Sequence, residues 1–413
     1  MLARRTKPAI MPHSHGGISG MKITKIRATP VNIPLEAPYL WSHGTLPGFS
    51  KAIVEVETSD GIVGFGEAPS AGMARSIEDE LGPRLIGRDP IDIAGCEQRC
   101  LPSWRGVTST TDIALIRAFG AIELALWDIR GKAWNRPLYQ LLGGAVRTEV
   151  AFTDYFAYRT RLGSKGGEGS PEAVVDYCLG LKAEHGTTMF EGKFSNADPR
   201  GSVRMIERLR RAMPDAMLRI DSNQAYSLAT AREIARAIEP LGVRNWEDPV
   251  ASFEEMAALR RHTAIPFSTH NIDLRRAVAL SAPDAIVTDT CVHGGLGRTI
   301  RFIGACEAMG VDFWCYSGDS GVMSAAYLHV AASMPWIREP SQSLFRMQPF
   351  DVIEEGPFRP RNNVVRVPEG PGLGVTLSRD KLEFCHRHFR EHGPMNKYHD
   401  PDAPGVYRRL PLS

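Results

Sequence analysis

After Gly144, short apolar runs alternate with helix-patterned stretches in a regular beat, and this constrains the chain more than any other feature. Strands read at VAFTDY, TTMFEGK, MLRID, VRNWED, IPFST, DAIVTD and VDFWCY. When strands and helices alternate in this way, both bury their apolar faces only if the strands lie parallel in one sheet with the helices packed on it. Charged residues end successive strands at intervals of about 24 to 28 residues, the length of one strand–helix unit in a parallel barrel. Seven units are clearly written, and the eighth is expected near Trp336 to Glu339.

The 413 residues leave room for a second domain beside such a barrel. From Met21 the segments MKITKIRATPVNI and AIVEVETSDGIVGFGEA read as a meander, with Ser59-Asp60-Gly61 as a hairpin turn and the Gly- and Pro-rich WSHGTLPGFS as a loop between strands. From about Arg75 to Leu142 the period becomes helical, clearest in DIALIRAFGAIELALWDIRGKAW. The tail from Phe350 is rich in Pro and Gly and closes with a helix around KLEFCHRHFREHG. The predicted fold is α/β, a (β/α)7–8 barrel of the TIM type with an N-terminal α+β capping domain. Its divisions are a disordered leader over 1–20, the cap over 21–145, the barrel over 146–349, and a C-terminal segment over 350–413 that packs back on the cap.

Composition narrows the partners. The 49 basic and 47 acidic residues leave a net charge of +2, too balanced for a nucleic-acid or anionic-membrane partner. No uninterrupted apolar run is long enough to span a bilayer. The seven cysteines are scattered, and Cys96 and Cys100 lack metal-knuckle or redox spacing, so a reducing, cytoplasmic setting is expected. Behind Arg4 and Arg5 there is no apolar segment of a secretory signal, and His13 and His15 are assigned to the leader.

In a parallel barrel the chemistry lies at the C-terminal strand ends. Here those ends carry Lys193, Asp221 with Asn223, Glu247 with Asp248, His270 with Asn271, Asp289, and Tyr316 with Asp319. Hard oxygen donors on neighbouring strands beside a lysine suit Mg²⁺ and carboxylate chemistry better than zinc. The structural alternative makes each Asp and Asn a cap of the following helix, and Lys193 an ion-pair partner of Glu191. Gly294 to Gly297 (GGLG) reads as a tight turn before a phosphate cradle, and His386, His388 and His392 as a solvated helix face.

The series Lys193, Asp221-Ser-Asn223 and Glu247-Asp-Pro249, followed by a ligand after IPFST, resembles the mandelate racemase branch of the enolase superfamily. Within that branch the glucarate dehydratase group is the nearest pattern, helped by the tail RVPEGPGLGV. The resemblance implies a Mg²⁺ ion that chelates a substrate carboxylate while a base removes the adjacent proton. It implies Asp221, Glu247 and Asn271 as metal ligands, with His270 the competitor one residue away. Two departures stand out. Glu191 replaces the first lysine of the family's Lys-x-Lys, and Tyr316 stands where a histidine partner of Asp289 is expected. The resemblance then implies Lys193 as base, with Tyr316 or His43 assisting departure of a hydroxyl. His43, Tyr158 and Arg159, with Asn223 and His270, are the expected substrate contacts. The expected activity is a Mg²⁺-dependent dehydratase turning a polyhydroxy carboxylate into a 2-keto-3-deoxy acid. A racemase, epimerase or cycloisomerase, or an acid-binding protein without turnover, are the alternatives. A small-molecule carboxylate partner and a homo-oligomer are also expected.

Overall fold

Two long antiparallel strands, β1 (Ile23–Trp41) and β2 (Gly44–Thr58), open the computed structural model, which describes residues 20–101, 110–194, 198–316, 318–395, 399–400 and 403–407. His13 and His15 lie outside the described residues. WSHGTLPGFS, expected as a loop, is instead the tip of this hairpin, turning at Ser42-His43. Its prolines misled the reading. Pro34 and Pro38 sit on an edge strand, where a missing donor costs little, and the register shifts between Pro34 and Tyr39. Pro47 lies on the part of β2 that the third strand does not reach.

That strand, β3 (Val63–Ala68), completes the sheet and packs on the helix Thr110–Ala133. The fit requires glycine: a Cβ on Gly66 would meet the Ala121 carbonyl oxygen at 1.9 Å. The sheet, this helix and the barrel helix Gly321–Ser333 share one apolar core, which docks cap and barrel as a unit. The helix Arg379–His392 returns to β1, where His386 meets the Pro30 carbonyl at 2.7 Å and Asn32 Nδ2 donates to the Gly393 carbonyl at 2.9 Å. His386 and His388 therefore face β1, not open solvent as expected.

After β4 (Glu149–Ala151), all seven expected barrel strands form, parallel and paired in chain order. They are β5 (Asp154–Phe156), β6 (Met189–Lys193), β7 (Met217–Asp221), β8 (Asn245–Glu247), β9 (Phe267–Thr269), β10 (Ala285–Thr288) and β11 (Asp312–Cys315). The eighth position falls a few residues later than expected. Ser341 accepts from Thr153 N at 2.9 Å and Gln342 N donates to the Cys315 carbonyl at 3.1 Å, so this short stretch links last strand to first. It carries no apolar run, and periodicity could not show it. β12 (Val364–Arg366) pairs antiparallel with β4.

Alternation along these strands sorts function from packing. Phe190, Leu218, Ile220, Trp246 and Phe267 face the helices in one apolar core. Their neighbours Glu191, Lys193, Arg219, Asp221, Asn245 and Glu247 are buried polar residues of the opposite pleat, facing the barrel interior. Gly192 separates Glu191 from Lys193 because a Cβ there would lie 2.3 Å from Phe156.

Candidate active site

The C-terminal strand ends and the cap hairpin enclose a cavity of about 360 Å³. On one wall, Lys193 Nζ donates to Asp221 Oδ2 and lies 5.5 Å over the Trp41 ring and 5.8 Å over the Tyr155 ring. Burial disfavours its charge, but Asp221, Tyr39 and Glu247 outweigh this and raise its pKa. Asn223 holds the Asp221 carboxylate twice, through its backbone N–H at 2.8 Å and Nδ2 at 3.0 Å. Its left-handed backbone, φ 51°, makes this clamp.

Glu247 ends the next strand, with Oε1 2.7 Å from His270 Nε2 and Oε2 accepting from Gln342. Burial and then Asp221 push its carboxyl up to about 8. Burial alone would lower His270, but Glu247 and then Asp248 lift it to about 10. His270 Nδ1 meets the Val287 carbonyl at 2.9 Å, which fixes the ring.

These residues fit a divalent cation. Two buried carboxylates repel one another, and the buried Asn223 Oδ1 has no hydrogen-bond partner. Glu247, Asp248 and His270 also present ligand atoms within 4.8 Å of one another. Oxygen donors with one imidazole suit a hard or borderline cation.

Sequence reasoning favoured Asn271 as third ligand with His270 as the competitor, and the structure places Asn271 apart from the cavity. Asn271 is exposed, does not line the cavity, and spends its side-chain oxygen on the Asp273 N–H at 3.1 Å, starting the next helix. His270 takes the inward place because β9 stops at Thr269 and the chain turns there.

Across the cavity lie Asp289, Tyr316 and Asp319. Asp289 accepts from Arg117 Nη2 at 2.8 Å and from the N–H groups of Cys291 and Val292 at 2.7 and 2.9 Å. Its partner is therefore an arginine from the cap helix in place of a histidine. Tyr316 packs edge-on against His270, ring centroids 5.3 Å apart. Asp319 pairs with Lys51 of β2 and accepts from the Tyr327 hydroxyl at 2.7 Å. Lys51, Arg117 and Gln342 were missed in the sequence. The first two come from the cap, and the third from the barrel's closing segment, so no strand-end pattern marks them.

Of the other expected contacts, His43 does not line the cavity; its ring lies tilted against Trp41, centroids 4.6 Å apart, near Asn223, Lys193 and Asp221, and burial leads in lowering its pKa. Tyr158 and Arg159 do not line the cavity. Tyr158 donates to the Gly201 carbonyl at 3.4 Å. Arg159 is a clamp, bidentate to Glu168 at 2.7 and 2.8 Å and bonded to Glu36 of β1 at 2.6 Å, which anchors the hairpin. Leu296 and Gly297 of the GGLG turn donate to Glu123 of the cap helix at 2.7 and 2.9 Å, so an internal carboxylate occupies the place of a phosphate.

Below the site the first lysine of Lys-x-Lys is replaced by a buried pair. Glu191 meets Arg219 Nη2 of the adjacent strand at 2.7 Å and accepts from Gln342 at 2.6 Å. Gln342 thereby joins this pair to Glu247.

A capped barrel with this strand-end series defines an enolase-type enzyme, and the chain belongs to the mandelate racemase/muconate lactonizing enzyme family. Residues 23–143 match the mandelate racemase / muconate lactonizing enzyme N-terminal domain, and residues 173–381 match the enolase C-terminal domain-like family. A probable glucarate dehydratase of Streptomyces coelicolor is 28% identical, over 89% of this chain and 91% of that protein. A cis-3-hydroxy-L-proline dehydratase of Roseibium aggregatum is 31% identical, over 88% of this chain and 98% of its own length. Other relatives bear the names of cycloisomerases and a racemase. An enolase structure from Pseudomonas fluorescens with bound magnesium, potassium and tartrate superposes with a TM-score of 0.82 at 26% identity, covering 92% of this chain and 95% of that one. No described helix is long and apolar enough to cross a membrane.

Proposed function

We propose that this enzyme is a Mg²⁺-dependent dehydratase that converts a polyhydroxy carboxylate into a 2-keto-3-deoxy acid. The observation that carries the reading is the asymmetry of the cavity. Lys193 stands beside the cation-type cluster on one wall, whereas the other wall holds ion-paired and hydroxylic groups, and among the described residues that line it there is no histidine. Racemisation needs a base on each face. Elimination, syn or anti, needs one base and one proton donor but not matched bases on both faces.

Asp221, Glu247 and His270 are the residues that would hold the cation, with Asn223 at their edge. Once bound, it supplies a Lewis acid for the substrate carboxylate and offsets the charge that grows as the α-proton leaves. Asp221 and Glu247 favour the charged form of Lys193, and a cation held between them would offset that pull, leaving Nζ free to take the proton. Trp41 and Tyr155 hold its side chain over the cavity and exclude water from it. Tyr316, against His270, shapes the wall where the substrate chain lies. The magnesium-bound enolase and the two dehydratase-named relatives support the same reading.

The test incubates pure protein and Mg²⁺ with aldonic acids, aldaric acids, tartrate and cis-3-hydroxy-L-proline, following keto-acid formation with K193A alongside. Product that vanishes in the variant is expected. Exchange of the α-hydrogen with deuterated solvent without water loss would establish a racemase-type activity instead. Neither product nor exchange would refute the assignment as an enzyme of these acids.

A further inference from the structure

A dehydratase must protonate the hydroxyl it expels, and the expected family histidine is absent. Tyr316 and His43 are the candidates the sequence offers. His43 is not among the residues that line the cavity; its ring packs against Trp41 at the hairpin tip. Tyr316 stands on the far wall with Asp289 and Asp319, but its ring packs edge-on against His270, centroids 5.3 Å apart.

The remaining proton-bearing groups of the far wall come from the cap. Along β2, alternation sends Phe49 and Lys51 into the cavity, while Ser50 turns to Asn32 of β1. Lys51 is 4% exposed, yet its side chain lines the cavity. Asp319 holds its Nζ, the Tyr327 hydroxyl donates to the Asp319 carboxylate in turn, and Gln348 Nε2 donates to the Asp319 backbone carbonyl at 3.0 Å. Placement around the barrel matters as well. Lys193 ends the second strand, and Asp289 ends the sixth, which lies opposite in an eight-stranded barrel. Lys51 meets the barrel beside that sixth strand, at the loop after the seventh.

Resting on the dehydratase reading above, we infer that Lys51 is a further catalytic residue, the proton donor to the departing hydroxyl on the face opposite Lys193. The balance of the step is complete. Lys193 takes the α-proton, the C–H electron pair forms the new C=C bond, and the β C–O bond breaks with its pair on oxygen. Lys51 Nζ–H⁺ gives that oxygen its proton, so water leaves, and the enol then becomes the keto acid. Burial would strip the ammonium proton, but Asp319 and Glu67 outweigh it, and the group enters the step charged. Asp319 stabilises the ammonium before transfer and orients it. Arg117 is not a competing donor, since a guanidinium keeps its proton and is tied to Asp289. Both far-wall cations are matched by carboxylates, so this wall offers hydrogen bonds to hydroxyls without excess positive charge for a second carboxylate.

The test uses the full-length enzyme with Mg²⁺ and whichever acid of the panel it dehydrates. K51M is expected to lose about 10²- to 10⁴-fold in dehydration, the usual weight of a general acid. It should keep α-hydrogen exchange in deuterated water, because Lys193 still works. The 3-deoxy-3-fluoro analogue, whose fluoride leaves without a proton, should be eliminated by K51M at close to the wild-type rate. The double variant K51M/D319N, which also removes the carboxylate that Lys51 directly pairs with, guards against a folding defect and should show the same pattern. Dehydration at the wild-type rate in K51M would overturn the inference. So would parallel loss of exchange, dehydration and fluoride elimination in both variants, which marks a structural role. If the wild type dehydrates none of the acids, the dehydratase reading fails first and takes this inference with it.

Discussion

Replacing Arg219 by Met tests the buried pair beneath the site. Arg219 and Glu191 side chains are each 1% exposed and 2.7 Å apart, so R219M leaves a carboxylate in the barrel interior with only Gln342 and Thr153 as donors. Removing one partner of a buried pair costs about 3 to 5 kcal/mol, because the survivor is left uncompensated. At about 2.1 cal/mol/K per residue, unfolding entropy for a chain of this length is near 0.9 kcal/mol/K, so the expected fall in Tm is about 3 to 6 °C. The double variant R219M/E191Q removes both charges and should recover most of that loss. About 1 kcal/mol stays missing, since Arg219 also donates to the Pro340 carbonyl at 2.8 Å. Because Gln342 bonds both Glu191 and Glu247, Mg²⁺ affinity should drop in the single variant and return in the double. Calorimetric melts and Mg²⁺ titrations measure the two effects. A single variant that melts with the wild type, or a double no better than the single, would show that Arg219 does not neutralise Glu191.

Calorimetry should also decide the third cation ligand: H270A is expected to bind Mg²⁺ at least tenfold more weakly, and N271A to match the wild type. Equal losses in both would return Asn271 to the site. Glu123 gives a pH prediction, since burial lifts its carboxyl to about 7 against about 4.5 unfolded. The folded chain binds that proton more tightly, so its contribution of about 3 kcal/mol is full below about pH 4.5 and is lost as pH rises to about 7. E123Q cannot titrate there, and its Tm should gain on the wild type between about pH 5 and pH 8. A constant gap across that range would mean Glu123 keeps an ordinary pKa.

The barrel was legible because each strand needs an apolar outward face, and that need writes Phe190, Leu218, Ile220 and Trp246 into the chain at a visible period. Lys193, Asp221 and Glu247 follow from it, since a strand's last inward residue reaches the mouth. What failed obeys other rules. Which of His270 and Asn271 faces the cavity depends on where β9 stops, a one-residue matter that alternation does not resolve. The hairpin tip was taken for a loop because proline is tolerated at an edge and a bulge. Arg159 looks like a specificity residue from its place after a barrel strand. Only the three-dimensional position of Glu36 and Glu168 shows it to be a clamp.

Those clamps explain how the far wall is built. Lys51 and Arg117 belong to the cap, but their carboxylate partners Asp319 and Asp289 belong to barrel loops. Neither pair exists until the two domains dock, so the barrel alone would present two unpaired carboxylates and half a site. The docking is therefore held away from the chemistry by Glu123 on the helix after β10 and Arg159 on β1, while Arg379 of the C-terminal helix ties that segment to Glu55 of the cap. Each tie restrains a different cap element, the long helix, the hairpin's outer strand and its inner strand. A shift of about 1 Å in any of them would carry Arg117, Trp41 or Lys51 out of hydrogen-bonding or packing range, enough to cost catalysis heavily. In this enzyme, loss of a site residue and loss of a distant tie should thus converge on the same defect. They differ in one respect: changes to the ties displace Arg117, Trp41 or Lys51, whereas K193A removes the base and leaves the far-wall pairs in place.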